Sequence, residues 1–471
     1  MEAQDLDSLL APYNPWWTEN TGWETSLDLP EYERPVVRKV LADLDELRQV
    51  VSITGPRRVG KSTAVRHVIS RLIKDERVEP RRLLYFSFDD PQVASSQQVQ
   101  RVIFDLLVER MRNQSSAGYL FLDEVQRLPR WELFVKKHYD LNAPVRFVVS
   151  GSASSPIFRS SQESLLGRIK DRHLLPFSFR EFCQYRLRHS PEFAEILAAN
   201  RTLKPALLNS DGRGASQCVS KLNKLLEPFR TEIGRAVCDY CNDGGFPEVW
   251  SLPDPVRKIE YLMEQQIRKV LYEDLMMLTQ YRKPENVLRF FVYLLAHPGM
   301  EINTTKIAQE AGVARTVVEE NFPRLEMTDL IMRVPKFSHK PLRVRQGNVK
   351  VYPVDTALRN AVMKSWRPIQ PPIGVHAENL VARELSTWLE KIEMTFFRQK
   401  DREVDFVLTH GGQKYLPFEV KSGSRTDEIA GLKMFMKKYN LPFGVVITCD
   451  MQTKFEDNVL YLPLRYFLLA C

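Results

Sequence analysis

The sequence predicts an α/β chain: a parallel sheet flanked by helices, then a helical segment, a helix-turn-helix module and a small α/β tail. Three observations carry that prediction. A β-branched run, Val50-Val51-Ser52-Ile53-Thr54, leads through a glycine turn into a helical stretch. Two further apolar runs end in carboxylates, Asp89-Asp90 and Asp123-Glu124, with a helical pattern between them. Near the end, strand-like runs at 403–408 and 416–421 flank a glycine hairpin. Strands alternating with helices imply a doubly wound parallel sheet that binds its ligand at the carboxyl edge.

The turn at 55–62 reads Gly-Pro-Arg-Arg-Val-Gly-Lys-Ser, the full G-x-x-x-x-G-K-S spacing of a phosphate-binding loop. Gly55 and Gly60 allow backbone angles that a side chain forbids, so successive N–H groups can curl around a phosphate. Pro56, Arg57, Arg58 and Val59 complete the loop, and Thr63 continues into the helix, whose N-terminus adds partial positive charge. Lys61 would reach the β- and γ-phosphates, and the Ser62 hydroxyl would ligate Mg²⁺. ATP and Mg²⁺ are the cofactors this loop calls for.

Residues 1–47 form a lead-in with an aromatic cluster, Asn14-Pro15-Trp16-Trp17 and Trp23, and a helical stretch from Val36 to Arg48. These aromatics are expected in a core rather than against an adenine ring. The nucleotide core spans 48–182. Within it, Asp123 ends an apolar run roughly sixty residues after the loop, where it would hold Mg²⁺ through water. Glu124 would polarise the attacking water as catalytic base. Asp89 is the rival for the metal. The run 145–152 ends in hydroxyls, placing Ser150 where a γ-phosphate sensor would sit, and Arg159, Arg168 and Arg172 follow as candidates to stabilise charge on the phosphate.

Residues 183–284 read as a helical lid or connector, with 207–217 a polar, mobile, glycine-bearing loop. Residues 285–350 read as a winged helix: helix, turn at Gly312, a second helix from Arg315 to Met327 that Pro323 would kink, and a basic wing. Glu319, Glu320 and Glu326 on the second helix would repel DNA, so Lys336, Lys340, Arg343, Arg345 and Lys350 are the better phosphate contacts. Packing or subunit contact is the other use of such a module.

In the tail, 351–471, Glu378 lies in a helical segment and Asp405 in a strand-like run. In Leu416-Pro-Phe-Glu419-Val-Lys421, strand alternation sends Glu419 and Lys421 to one face, and Phe418 and Val420 to the core. Glu378, Asp405 and Glu419 would hold Mg²⁺, and Lys421 would position the water for phosphodiester hydrolysis. A surface ion-pair network is the plain alternative.

Composition bounds the rest. A hydrophobic fraction of 44% and a charged fraction of 27% are those of an ordinary soluble protein. No apolar run is long enough to span a bilayer, and a cytoplasmic protein without membrane contact is expected. Six cysteines in 471 residues do not make a disulfide framework. Cys238 and Cys241 have the spacing of half a zinc site and no second pair, so they are expected as buried thiols. The net charge of +8 is compatible with DNA as partner and does not require it.

Taken together these segments resemble a family of prokaryotic AAA-like P-loop ATPases with a C-terminal restriction-endonuclease-like domain. The likeness runs through Asn14-Pro-Trp-Trp17, the loop, LDEVQRLPRW (122–131), SGSAS (150–154), LLGR (165–168) and LPFSFREF (175–182). It continues through GGFPEVW (244–250), YPVDTALR (352–359), ENLVARELSTWL (378–389), REVDFVL (402–408) and FEVKSG (418–423). The resemblance implies an ASCE-type P-loop NTPase domain with Lys61 and Ser62 on phosphates and metal, Asp123 on the metal, Glu124 as base, Ser150 as sensor and Arg168 as the arginine to test. It also implies PD-(D/E)xK nuclease positions at Glu378, Asp405, Glu419 and Lys421. The segment between Phe182 and Cys238 is longer than the family pattern. The expected function is an Mg²⁺-dependent ATPase whose nucleotide state controls a DNA-directed nuclease-like domain. The alternative is a nucleotide-switched binding or regulatory protein that grips a protein or nucleic-acid partner without cutting, with self-association open.

Overall fold

Strand β1 (Val50–Gly55) is buried at every position. In the computed structural model it belongs to a five-stranded sheet with β2 (Leu83–Ser87), β3 (Gly118–Asp123), β4 (Val145–Ser152) and β5 (Ile169–His173). The order is β2-β3-β4-β1-β5, and every neighbouring pair is parallel. Near-continuous apolar runs such as 119–122 suit a parallel sheet covered by helices. Helices Gln97–Arg112 and Trp131–Asp140 bury Phe104, Leu107, Trp131 and Val135 in one core with β2, β3 and β4. The described residues are 3–18, 22–94, 96–112, 117–152, 165–190, 193, 202–275, 283–338, 348–365, 369, 374–389, 392–411, 414–421, 429–449 and 453–470. They fall into two units, Met1–Leu175 and Pro176–Cys471, which divide ahead of the Phe182 boundary expected from sequence.

The N-terminal aromatics close the edge of the first unit's sheet. Asn14 accepts from the Tyr85 amide (2.7 Å) and donates to the Tyr85 carbonyl (3.0 Å). The indole N–H groups of Trp16 and Trp17 donate to the Leu83 carbonyl at 3.1 and 2.9 Å. Leu83 and Tyr85 share one side of edge strand β2, so side chains replace the missing strand and blunt an edge that would otherwise pair with another chain. Trp16 and Trp23 are buried as expected.

In the second unit, helices Phe179–Arg186, Gly212–Leu226 and Arg230–Asp243 share one core with a six-stranded sheet. That sheet holds β9 (Glu393–Gln399), β10 (Arg402–His410), β11 (Lys414–Lys421), β12 (Gly444–Thr448), β13 (Lys454–Glu456) and β14 (Val459–Pro463) in the order β13-β14-β12-β11-β10-β9. A smaller antiparallel sheet joins β6 (Met300–Glu301), β8 (Val349–Pro353) and β7 (Ile331–Pro335), with helices at Pro284–Ala296, Thr304–Ala311 and Arg315–Glu326. Gly312 ends the second of these in a left-handed conformation, and Pro323 lies within the third. Cys238 and the buried Cys241 both lie on helix Arg230–Asp243.

One expectation fails outright. Residues 212–217 are not loop but the start of helix Gly212–Leu226. Asp211 caps it by accepting from the Gly214 amide at 2.8 Å, and Ala215, Val219, Leu222 and Leu226 bury one face. A carboxylate cap and an apolar face outweigh the low helix propensity of two glycines in the first turn.

The chain enters the second unit through a pinned segment. The Phe177 amide donates to the Gly245 carbonyl (2.8 Å), and the Tyr240 hydroxyl donates to the Phe177 carbonyl (2.7 Å). Asp355 accepts from the amides of Gly245 (2.6 Å) and Ala357 (2.8 Å). A Cβ on Gly245 would stand 2.2 Å from the Phe177 carbonyl oxygen. Three separate motifs, at 175–182, 244–250 and 352–359, thus meet at one joint.

Candidate functional site

Strand β1 delivers Gly55 to the turn with φ 145°, and Gly60 caps helix Lys61–Lys74 with φ 93°. Arg58 is also left-handed, with φ 59°. Positive φ at three places in six residues turns successive amides toward one concavity, the geometry that receives phosphate oxygens. The Lys61 ammonium is buried and donates to the carbonyls of Gly55 (3.1 Å) and Pro56 (2.8 Å), so it lies across the loop. Ser62 and Thr63 follow in the first helical turn, half-buried.

Because β4 lies between β1 and β3, Ser150 stands between the loop and Asp123. Its hydroxyl donates to Asp123 Oδ1, which also accepts from the Glu124 amide at 3.0 Å, while the Tyr85 hydroxyl donates to Oδ2 at 2.8 Å. Asp123 is buried and fixed on both oxygens. Glu124 has φ 49°, an unusual angle for a side-chain-bearing residue, and it accepts a bond from Gln126. Burial raises its carboxyl above the ordinary range; nearby Lys61 opposes that and Asp123 adds to it. Asp89, the rival, is paired with Arg127 at 3.2 Å and more than half exposed. Ser62 and Asp123 supply the hard oxygen donors that Mg²⁺ takes, so the chemistry of the set fits that ion.

The arginines do not gather at the loop. Arg168 directly precedes β5, and β5 runs parallel to β1 with Ile169 opposite Val50. It therefore sits at the sheet edge opposite its own chain's phosphate loop, paired with Asp140 at 2.8 Å. Arg172 binds both oxygens of Asp43 at 2.6 Å. Arg159 lies outside the described residues. An arginine that no motif marks, Arg34, touches the loop instead. Arg34 is buried and donates to the carbonyls of Val59 (2.9 Å) and Leu175 (3.1 Å).

In the second unit, Phe406 pairs with Phe418 across β10 and β11, so one step further Asp405 lies opposite Glu419. Asp405 Oδ2 accepts from the Val420 amide at 2.8 Å. Lys421 reaches Glu419 Oε1 at 2.8 Å, and the other Glu419 oxygen is buried without a hydrogen-bond partner. Burial, then Glu419 and Glu378, push Asp405 well above the carboxylate range. Glu378, on helix Val375–Ser386, accepts from the Tyr352 hydroxyl at 2.7 Å.

Lys350, read from sequence as a DNA contact in the wing, is instead buried among these acids. Its ammonium lies 3.4 Å from Glu378 Oε1 and pairs more closely with Glu403, which also binds Arg398. Strand alternation on β8 turns Lys350 and Tyr352 toward the same face. Lys336 is half-buried, and Lys340, Arg343 and Arg345 lie outside the described residues. Among the described residues, no group of three or more His, Cys, Asp or Glu side chains is arranged to hold a metal ion. Glu378 and Glu419 both act on Asp405 through their charge, so the three share a neighbourhood, but as placed they are not arranged to hold one divalent cation. Among the described residues, no helix is long and apolar enough to cross a membrane.

The loop, the buried Asp123-Glu124 pair and the parallel sheet define a P-loop nucleotide-binding domain. Residues 47–183 match the family described as AAA domain, and this segment is an AAA-type ATPase domain. Residues 234–368 and 373–467 match two domains of unknown function, DUF8612 and DUF4143. Two proteins of Methanocaldococcus jannaschii are similar along most of the chain. Uncharacterized protein MJ1637 is 22% identical over 435 residues, covering 90% of this chain and 85% of that protein. Uncharacterized protein MJ1544 is 23% identical over 404 residues, covering 83% and 79%. Solved structures with partial likeness include a mutant of Thermotoga maritima RuvB, with TM-score 0.26 and 16% identity over 67% of this chain and 91% of that one. AMPPCP-bound DnaA from Aquifex aeolicus has TM-score 0.25 and 16% identity over 62% and 92%. C. elegans PCH-2 has TM-score 0.26 and 14% identity over 34% of this chain and under half, 46%, of that one.

Proposed function

We propose that this protein hydrolyses ATP with Mg²⁺ and that its nucleotide state controls a C-terminal nuclease-like domain directed at DNA. One observation carries the ATPase half: Lys61, Ser62, Ser150, Asp123 and Glu124 converge at the carboxyl ends of β1, β4 and β3. Lys61 would leave the loop carbonyls for the β- and γ-phosphates. Ser62 and Asp123 would hold Mg²⁺, which neutralises charge between the phosphates. Glu124, raised by burial, would orient and deprotonate the attacking water, with Ser150 reporting the γ-phosphate through its bond to Asp123. Arg34 supports the control half, since it joins Val59 in the loop to Leu175, the last residue before the pinned segment Pro176–Phe179.

In the nuclease half, Asp405, Glu419 and Lys421 are the acid and lysine positions, with Glu378 on the adjacent helix. Residues 285–350 would act as a winged helix beside them. A second reading is favoured by Lys350 within the acid cluster: a nucleotide-switched protein that binds a protein or nucleic-acid partner without cutting it. ATP turnover and DNA cleavage measured in one reaction, with Mg²⁺ or Mn²⁺ and single- or double-stranded DNA, separate the two. The first reading expects cleavage that Glu419→Ala abolishes while turnover persists. The second expects intact DNA throughout.

A further inference from the structure

Lys350 and Glu403 are absent from the acid and lysine pattern of the tail, yet they stand at its centre. Lys350 is 4% exposed, an uncommon state for a lysine, which is buried only when paired. Three elements bring a carboxylate or a ring to its ammonium. Helix Val375–Ser386 brings Glu378 at 3.4 Å, β10 brings Glu403 in close contact and Asp405 beyond it, and β9 brings the Phe396 ring at 5.4 Å. The second Glu403 oxygen goes to Arg398, which also holds Glu301. Oε1 of Glu378 is crowded further: Tyr352 donates to the same oxygen, and a Cβ on Gly299 would stand 3.0 Å from it. Within this cluster Glu419 keeps a buried oxygen, Oε2, with no hydrogen-bond partner.

We infer that Lys350 is an internal cation that closes the C-terminal acid cluster to divalent metal, so that an ion can bind there only when the strand Val349–Pro353 withdraws its lysine. The cluster holds its own positive charge, and a divalent ion beside a buried ammonium at this range would be strongly repelled. Glu378 and Glu403 cannot both turn to a metal without leaving Lys350 unpaired, which is costly in a buried site. The inference concerns metal binding alone and stands whether or not the domain cuts DNA.

The test is Mn²⁺ uptake by the full chain without nucleotide, followed through the electron paramagnetic resonance of the free ion. Uptake that depends on the tail is the part removed by Glu419→Gln. The unchanged protein should show none. Lys350→Met keeps the length of the stem and removes the charge. It should gain one Mn²⁺ bound about 10–100-fold more tightly, the scale set by charged groups around a metal site. Adding Glu419→Gln to that variant should abolish the gain. Lys350→Gln serves if the methionine variant does not fold by circular dichroism. Glu419-dependent uptake by the unchanged protein would overturn the inference, and so would a folded Lys350 variant that gains no ion.

Discussion

The carbonyl oxygen of Leu174 lies 1.9 Å from the point where Gly55 would carry a Cβ, and the Leu174 amide donates to the Thr54 carbonyl at 2.7 Å. The phosphate loop is thus built directly against the residue that follows β5. Gly55→Ala meets backbone there, which cannot swing aside, at a φ of 145° that alone costs about 1–3 kcal/mol. The expected result is loss of fluorescent ATP-analogue binding in whatever protein folds. Unchanged affinity would show that the loop and Leu174 can separate.

Arg34→Ala should weaken the nucleotide domain by roughly 1.5–3 kcal/mol, the scale of hydrogen bonds from a charged donor, because the carbonyls of Val59 and Leu175 lose their shared partner. Urea unfolding followed by tryptophan fluorescence measures this. Nucleotide affinity should fall in the same variant, since Val59 precedes the capping Gly60.

Asn14→Ala removes a buried amide that pairs with both backbone groups of Tyr85. Leaving those groups unpaired should cost about 1–3 kcal/mol and open the edge of β2 to association. Light scattering on gentle warming should show aggregation earlier than in the unchanged protein.

Glu384 sets a pH dependence. Burial raises its carboxyl to about 7, against the opposing effects of Arg383 and of the Phe179 amide that donates to it at 2.8 Å. A carboxyl raised in the fold favours folding fully below its ordinary value of 4.5, and that contribution is lost as pH rises through about 7. Glu384→Gln keeps an acceptor for Phe179 and never ionises. Its unfolding free energy in urea should therefore fall less between pH 5 and pH 8, by on the order of 1–3 kcal/mol. Asp355, raised to about 6 by burial, acts with the same sign in both proteins. An identical pH slope in the variant would place the titration elsewhere.

What could be read in the sequence was local. Gly55 to Ser62 declare themselves by spacing, and Asp123-Glu124 by ending an apolar run after that loop. Glu419 and Lys421 share a face because strand side chains alternate. What escaped was set by distant partners. Nothing near Asn14 names Tyr85, its partner in the edge of β2, and Arg34 is an ordinary arginine until Val59 and Leu175 surround it. Lys350 read as one more basic residue in a wing, because its acids at Glu378 and Glu403 come from elements far along the chain. Helix Gly212–Leu226 was legible in principle. Asp211 before apolar residues at 215, 219, 222 and 226 is a cap and a face, against which the low helix propensity of Gly212 and Gly214 argues locally.

We propose that the loop and Glu124 together hydrolyse ATP. Single-turnover phosphate release with Mg²⁺ tests it most directly, comparing the unchanged protein with Lys61→Ala and Glu124→Gln. Lys61→Ala should fail to bind or turn over nucleotide. Glu124→Gln should bind ATP normally and release phosphate about 10²- to 10⁴-fold more slowly, the range of a positioned general base. Unchanged release from Glu124→Gln, or release that persists in Lys61→Ala, would contradict the account.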